Sequence, residues 1–236
     1  MDFLETAQQR FGSPPADEMR AGFDLLESTL LEWNTRVNLT AITDPQEVRL
    51  RHFLDSLSLL PCLGETSGKH LIDVGTGAGF PGLPLAMARP DLQVTLLEAT
   101  GKKLAFIDEM ARMLKLKNAR TLHARAEEAG QMPGERERYE YVTARAVARL
   151  PVLAEYLLPL ARVGGLCIAM KGETATQEAQ DARRALAMLG GSLRSIEEVE
   201  LPGVEGRHYL VLIDKVRPTP AEYPRRPGLP NRSPLT

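Results

Sequence analysis

Between residues 16 and 37 the apolar side chains Met19, Phe23, Leu26, Leu30, Trp33 and Val37 recur at spacings of three and four. That period puts them on one stripe of an α-helix, so the stretch is predicted to be amphipathic, with the stripe in a core. A second helix start follows at Asp44-Pro45-Gln46-Glu47: Asp as N-cap, Pro in the first turn, Glu three residues after the cap. Leu50, Phe53, Leu54, Leu57 and Leu60 line one face of that helix. Residues 1–65 therefore read as a helical region, closed off by Gly64 to Gly68.

From Lys69 the pattern alternates. Strand-like runs cover 71–74, 94–99, 120–124, 139–145, 165–171, 192–200 and 208–215, with helices near 82–89, 102–116, 150–161 and 174–189. Strands alternating with helices predict an α/β fold, a parallel sheet covered on both faces. The last two strands lie within hairpin reach across LPGVEG, so one of them can run antiparallel. The Pro-rich end, RPTPAEYPRRPGLPNRSPLT, reads as extended chain. The organisation is thus a helical region 1–65, an α/β domain 66–216 and a tail 217–236.

A length of 236 residues suffices for one sizeable core without disulfide or metal staples. The longest apolar runs break within about ten residues, short of the ~18 that a membrane span needs. The start, MDFLETAQQR, is acidic and carries no apolar run of a secretory signal. Cys62 and Cys167 form no metal pattern, and no metal site is expected. Together these point to a cytoplasmic protein with reduced thiols. Net charge is −2, but from Lys215 onward five basic residues face one acid, a local +4 that leaves −6 for the rest. A basic tail on an acidic body suggests a local anionic partner.

The chemistry centres on LIDVGTGAGFPGLPLA, residues 71–86, a glycine loop between a strand and a helix. A phosphate-binding P-loop needs G-x-x-x-x-G-K-[ST]. Gly77 and Gly82 have the spacing, but Leu83-Pro84 stand where the lysine and hydroxyl belong. A dinucleotide loop needs G-x-G-x-x-G. Gly75 and Gly77 match, but Phe80 takes the third position, where close helix–strand packing requires glycine. A loop for S-adenosylmethionine fits better. That ligand has no phosphate, so Gly75, Gly77 and Gly79 serve close backbone approach rather than an anion hole. Asp73, ending the first strand, can sit near its cationic end. Glu98, ending the second strand 25 residues further on, can take both ribose hydroxyls. The segment ARAEE, 124–128, follows the third strand, where the adenine would lie.

DVGTGAGFPGLPLA, LLEATGKKLAF, RAEE, TARAVA, AMKG, YPRRPG and the upstream WNTRVNLTAITDPQEVRLRHFLDSL together resemble the bacterial small-subunit rRNA guanine-N7 methyltransferases, the RsmG (GidB) family, over about residues 30 to 232. The resemblance implies a class I SAM-dependent methyltransferase fold, Rossmann-like with a seven-stranded, mostly parallel sheet, and an N-terminal helical region. It implies methyl transfer from S-adenosylmethionine to N7 of guanine 527 of 16S rRNA, on free rRNA or a small subunit in assembly, by a monomer. Gly75 and Phe80 match the family's cofactor contacts, Glu98, Ala99 and Thr100 its ribose and adenine segment, Ala126 and Glu127 its adenine contact, and Arg145 an arginine reaching into the site.

The residues agree with that chemistry. Exocyclic-amine methylation often uses Asn/Asp-Pro-Pro-Tyr/Phe after the fourth strand, where this chain has Thr143-Ala144-Arg145-Ala146. Pyrimidine carbon-5 methylation needs a cysteine nucleophile. Cys62 lies upstream of the loop and Cys167 falls inside a core strand. Guanine N7 carries a lone pair and no hydrogen, so no general base is needed and alignment is the main task. N7 faces the narrow major groove of A-form RNA, so the base must be unpaired when it is read. Arg145 then positions the base or an adjacent phosphate and borders the methionine end of the cofactor, or else is an ordinary surface arginine. Lys171 is either an RNA-phosphate contact or a solvated side chain, Arg207 with His208 is either an RNA contact or an ordinary strand-edge pair, and Arg225 and Arg226 in the tail are either RNA contacts or part of a solvated end. His52 and Asp55, three apart on one helix face, read as a hydrogen-bonding pair. Two other classes stay open: a small-molecule methyltransferase, and a non-catalytic ribosome-binding factor on a degenerate fold.

Overall fold

The computed structural model describes residues 2–235. Among them, seven strands form one sheet: β1 (His70–Val74), β2 (Gln93–Glu98), β3 (Ala119–His123), β4 (Tyr139–Arg145), β5 (Ala161–Lys171), β6 (Gly191–Val199) and β7 (His208–Lys215). Their order is β3-β2-β1-β4-β5-β7-β6. The pairs β1–β4, β2–β3 and β4–β5 are parallel, and β7 runs antiparallel to both β5 and β6. The hairpin reading of the last two strands therefore holds, with β7 lying between its two neighbours.

The chain divides into two compact units. The first comprises the chain up to Lys69, Thr76–His123 and Leu201–Glu205, and the second His70–Gly75, Ala124–Glu200 and the chain from Gly206. In the first, α1 (Phe3–Phe11) starts on an Asp2 cap, whose side chain accepts from Leu4 N, and ends on left-handed Gly12. Helix α2 (Ala16–Asn34) buries Met19, Phe23, Leu26 and Leu30, with Trp33 and Val37 half-buried. Asp44 caps α3 (Pro45–Val48) as predicted, accepting from Glu47 N at 2.9 Å. The helix continues as a wider π-helical stretch, Arg49–Leu54, and ends in α4 (Asp55–Leu57). Helices α5 (Gly82–Ala88) and α6 (Gly101–Met113) flank β2 in the chain.

The core of this unit is aromatic. Phe3 meets Phe23 at 5.4 Å between ring centroids, Phe23 meets Phe53 at 5.0 Å, and Phe53 meets Phe80 at 5.8 Å. Such tilted and edge-on pairs add to plain area burial. The series ends on the glycine loop, so the N-terminal helices fix that loop by packing.

In the second unit, α7 (Ala126–Ala129) follows β3 and α8 (Leu150–Leu157) follows β4. Every residue of α8 is buried, Glu155 included. The helix predicted over 150–161 stops at Leu157 because Pro159 restrains the residue before it and cannot donate. The chain then enters β5 at Ala161, opposite Tyr139, earlier than predicted. Gly164-Gly165 lies inside the strand. A Cβ on Gly165 would come within 2.9 Å of the Tyr139 carbonyl oxygen. The helix predicted over 174–189 is two helices, α9 (Ala175–Asp181) and α10 (Arg183–Leu189), separated where Ala182 flattens to ψ −6°.

The C-terminal segment, predicted to be extended, is tied to the protein by hydrogen bonds. Arg136 donates to the carbonyls of Thr219, Pro220 and Tyr223, and Gln131 to those of Ala221 and Pro224. A short helix, α11 (Leu229–Arg232), ends it.

Candidate cofactor and RNA site

In the first unit the loop after β1 folds back on itself. Thr76 N donates to Leu97 O at 3.0 Å, and Thr76 O accepts from Gly79 N and Phe80 N at 3.0 and 2.9 Å. Gly79 sits at φ +87°, and a Cβ there would strike the Leu83 side chain, so this turn requires glycine. Glu98 closes β2 with a buried carboxylate, 8% exposed. Its Oε2 accepts from Gly77 N at 3.1 Å and its Oε1 from Thr100 N at 2.8 Å. Each oxygen has a second lone pair beyond its backbone amide. Ala99 and Thr100 are exposed beside it, and the Ala99 carbonyl accepts from His123 Nε2 at 3.1 Å.

Phe80 is buried and stacked on His52, with centroids 4.9 Å apart and planes 16° from parallel. His52 Nε2 lies 2.7 Å from Thr40 Oγ1, and Nδ1 lies 3.2 Å from Arg51 O. The network closes with Nδ1 protonated: Thr40 donates to Nε2, and its oxygen accepts from Ile42 N at 3.1 Å. Thr40 is set by Asn34, whose side-chain oxygen accepts from Leu39 N and Thr40 N at 2.9 and 3.0 Å. The WNTRVNLTAI and RHFLDS stretches thus meet at one ring behind the cofactor loop. Sequence reasoning missed Asn34 and Thr40 because nothing in their spacing indicates a turn closed by one amide. The His52 ring, read in the sequence as one of a pair with Asp55, meets Thr40 and Phe80.

In the second unit Gly75 follows β1 at φ +67°, and a Cβ would come 2.8 Å from the Val147 side chain. Asp73 is fully buried in β1. Ala126, half-buried, opens α7, and the adjacent Glu127 is buried, with Oε1 accepting from Gly228 N at 2.9 Å. The Tyr156 hydroxyl is pushed up to about 12, first by burial, then by the charges of Glu127 and Glu155 and its hydrogen bond to Glu127. Arg145 ends β4, half-buried and level with Met170 of β5.

Of the four expected RNA contacts, two are engaged inside the protein. Lys171 donates to Ala148 O at 2.5 Å and pairs with Glu178 at 2.8 Å, its side chain 10% exposed. Glu178 also accepts from Leu150 N at 2.8 Å and from Thr174 Oγ1 at 2.7 Å. Burial raises the Glu178 carboxyl, and the hydrogen bonds from Lys171, Thr174 and Leu150 outweigh it, holding the group below the usual carboxylate range. Arg225 forks onto fully buried Glu155, Nε to Oε1 at 2.9 Å and Nη2 to Oε2 at 2.6 Å. Lys171 therefore braces the loop after β4, and Arg225 anchors the tail. Arg207, with a side chain 69% exposed, and Arg226 do lie on the surface. Cys167 is buried, its thiol pushed up to about 12 by burial, so it is no nucleophile. Among the described residues no cluster of three metal-ligating side chains occurs, and no helix is long and apolar enough to cross a membrane.

These donors and acceptors fit S-adenosylmethionine: a buried carboxylate with two lone pairs to offer a diol, close glycine turns, and no lysine for a phosphate. The strand order, with antiparallel β7 between β5 and β6, defines a class I methyltransferase fold. A solved variant of the 16S rRNA (adenine(1408)-N(1))-methyltransferase from Catenulisporales acidiphilia is similar, with a TM-score of 0.53 and 15% identity, over 65% of this chain and 87% of that one. Geranyl diphosphate C-methyltransferase from Streptomyces coelicolor is similar at a TM-score of 0.53 and 15% identity, over 68% and 78%. Likeness at this level shows the fold and leaves the substrate open. Residues 21–208 match the GidB family, described as rRNA small subunit methyltransferase G, and the chain belongs to that family. Relatives named ribosomal RNA small subunit methyltransferase G include those of Roseiflexus castenholzii, 51% identical over 90% of both chains, and a further Roseiflexus strain, 48% identical over the full length of both. That of Acetivibrio thermocellus is 46% identical over 96% of this chain and 93% of its own.

Proposed function

We propose that this protein transfers a methyl group from S-adenosylmethionine to N7 of guanine 527 of 16S rRNA, in the small subunit or its assembly intermediate. The observation that carries the reading is 46–51% identity, over at least 90% of the chain, to proteins named for methylating small-subunit rRNA. The choice of N7 rests on the motif resemblance and on the chemistry of the residues. Thr143-Ala144-Arg145-Ala146 offers no amine-polarising motif, and the Cys167 thiol is buried.

When bound, S-adenosylmethionine supplies an electrophilic methyl on a sulfonium. Glu98 holds the ribose hydroxyls, Gly75 and Gly77 let the backbone approach, and Ala99, Thr100, Ala126 and Glu127 border the adenine. Phe80, clamped by His52, fixes the loop. Arg145 holds the guanine or a neighbouring phosphate so that N7 faces the methyl, and no residue need take a proton from N7. Arg207 and Arg226 contact RNA phosphate. A ribosomal substrate places the protein in the cytoplasm.

Incubation with labelled S-adenosylmethionine and 30S subunits, naked 16S rRNA or a metabolite extract tests this. Label is expected in rRNA. Label confined to small molecules, or no transfer at all, would refute the reading.

A further inference from the structure

We propose that the C-terminal segment, Thr219–Arg232, is a strap that positions the Ala126–Glu127 segment for the cofactor, acting through the Glu127 carboxylate. This rests on the reading above that Ala126 and Glu127 border the adenine. The carboxylate is buried and turned to the protein's own groups: the Gly228 amide at 2.9 Å and the Tyr156 hydroxyl. Glu127 therefore serves as an anchor, and its backbone with that of Ala126 is left to meet a ligand.

The strap is held at three places. Arg136 and Gln131 gather the carbonyls of Thr219, Pro220, Ala221, Tyr223 and Pro224. Pro224 packs against Gly130, one residue past α7; a Cβ on Gly130 would come 2.7 Å from it. Arg225 then locks onto Glu155 with both its backbone amide, 2.7 Å from Oε1, and its guanidinium. Glu155 and Tyr156 are consecutive in α8, so one helix turn grips the strap with one side chain and Glu127 with the next. Gly228 delivers its N–H from φ +81°, a conformation that L side chains rarely adopt. Arg225 and Pro224 thus have an internal task, while Arg226 stays on the surface.

The test compares wild type, Gly228→Ala, Glu127→Ala and a chain ending at Tyr223. Affinity for S-adenosylmethionine and S-adenosylhomocysteine is read by calorimetry, and KM for 30S subunits is read separately. The Gly228→Ala methyl enters open space, so this variant strains the backbone without a clash and carries the test if the truncated chain does not fold. The expected result is a rise in Kd of about tenfold, equivalent to about 1.4 kcal/mol at 25 °C, with KM for 30S subunits and its salt dependence unchanged in the two point variants. Unchanged Kd in folded variants overturns the strap, as does a shift confined to 30S KM and its salt slope. A wild-type chain that binds neither ligand refutes the cofactor reading instead. Hydrogen exchange at the amides of 126–129 then decides the strap alone: faster exchange in Gly228→Ala supports it, and equal exchange overturns it.

Discussion

Replacing Glu98 with Gln tests the ribose contact with minimal change of shape. The carboxylate now accepts one backbone N–H on each oxygen, from Gly77 at 3.1 Å and Thr100 at 2.8 Å. An amide has one acceptor oxygen, so in the variant an NH2 group must face one of those N–H donors and one ribose hydroxyl loses its charged acceptor. A hydrogen bond to a charged group contributes about 1.5–3 kcal/mol, so Kd for S-adenosylmethionine should rise about ten- to a hundredfold. The donor-to-donor contact costs about 1–3 kcal/mol of folding stability, a fall in melting temperature of several degrees for a chain of this size. Calorimetry of ligand binding at 25 °C, with a thermal melt of each protein, separates the two effects. A 2′-deoxyribose analogue should bind wild type more weakly than the parent ligand and lose little more in the variant, because the two deletions remove the same contact. A variant Kd within twofold of wild type would refute the assignment of Glu98.

Arg145→Ala should remove most of the turnover on 30S subunits while leaving the melting temperature within a few degrees of wild type; normal turnover would end its proposed role. Phe80→Gly should weaken S-adenosylmethionine binding, because it removes the ring between His52 and Phe53, and should confer no affinity for NAD; unchanged cofactor affinity would contradict the clamp. Tyr156 and Cys167 are each held protonated up to about 12, against ordinary values of 10.0 and 9.0. Folded values raised above the unfolded ones contribute stability that is complete below about pH 9 and lost as pH rises toward 12. Thermal melts from pH 8 to 12 should show that decline, reduced in Cys167→Ala; an identical profile would contradict the burial argument.

The parts of the fold set by local pattern were legible in the sequence. The runs YEYVTAR and HYLVLIDK are strands at the predicted residues, the Asp44 cap forms, and the loop 75–82 with Glu98 lies at strand ends. The parts set by distant partners were not. Nothing local signals that Arg225 will meet Glu155, 70 residues away, or that Lys171 will face Glu178 once α9 packs. Both charges therefore read as surface charge. The wider turn at Arg49–Leu54 carries His52 and Phe53, whose rings both meet Phe80, a contact between distant parts of the chain. Tyr156 and Gly228 acquire their roles only through Glu127. Helix α1, by contrast, was readable: Phe3, Leu4 and Ala7 share a face behind the Asp2 cap, but the stretch is short and lies apart from the stronger pattern beyond Ala16.

The central claim is the atom that receives the methyl. Small subunits from cells lacking this modification, incubated with the protein and S-adenosylmethionine, should yield one methylated nuclease fragment of 16S rRNA. Mass spectrometry should place the methyl on guanine 527, and the strand should cleave there under conditions selective for 7-methylguanosine. A methyl on another nucleotide, on another atom of guanine 527, or on no rRNA fragment would contradict the account.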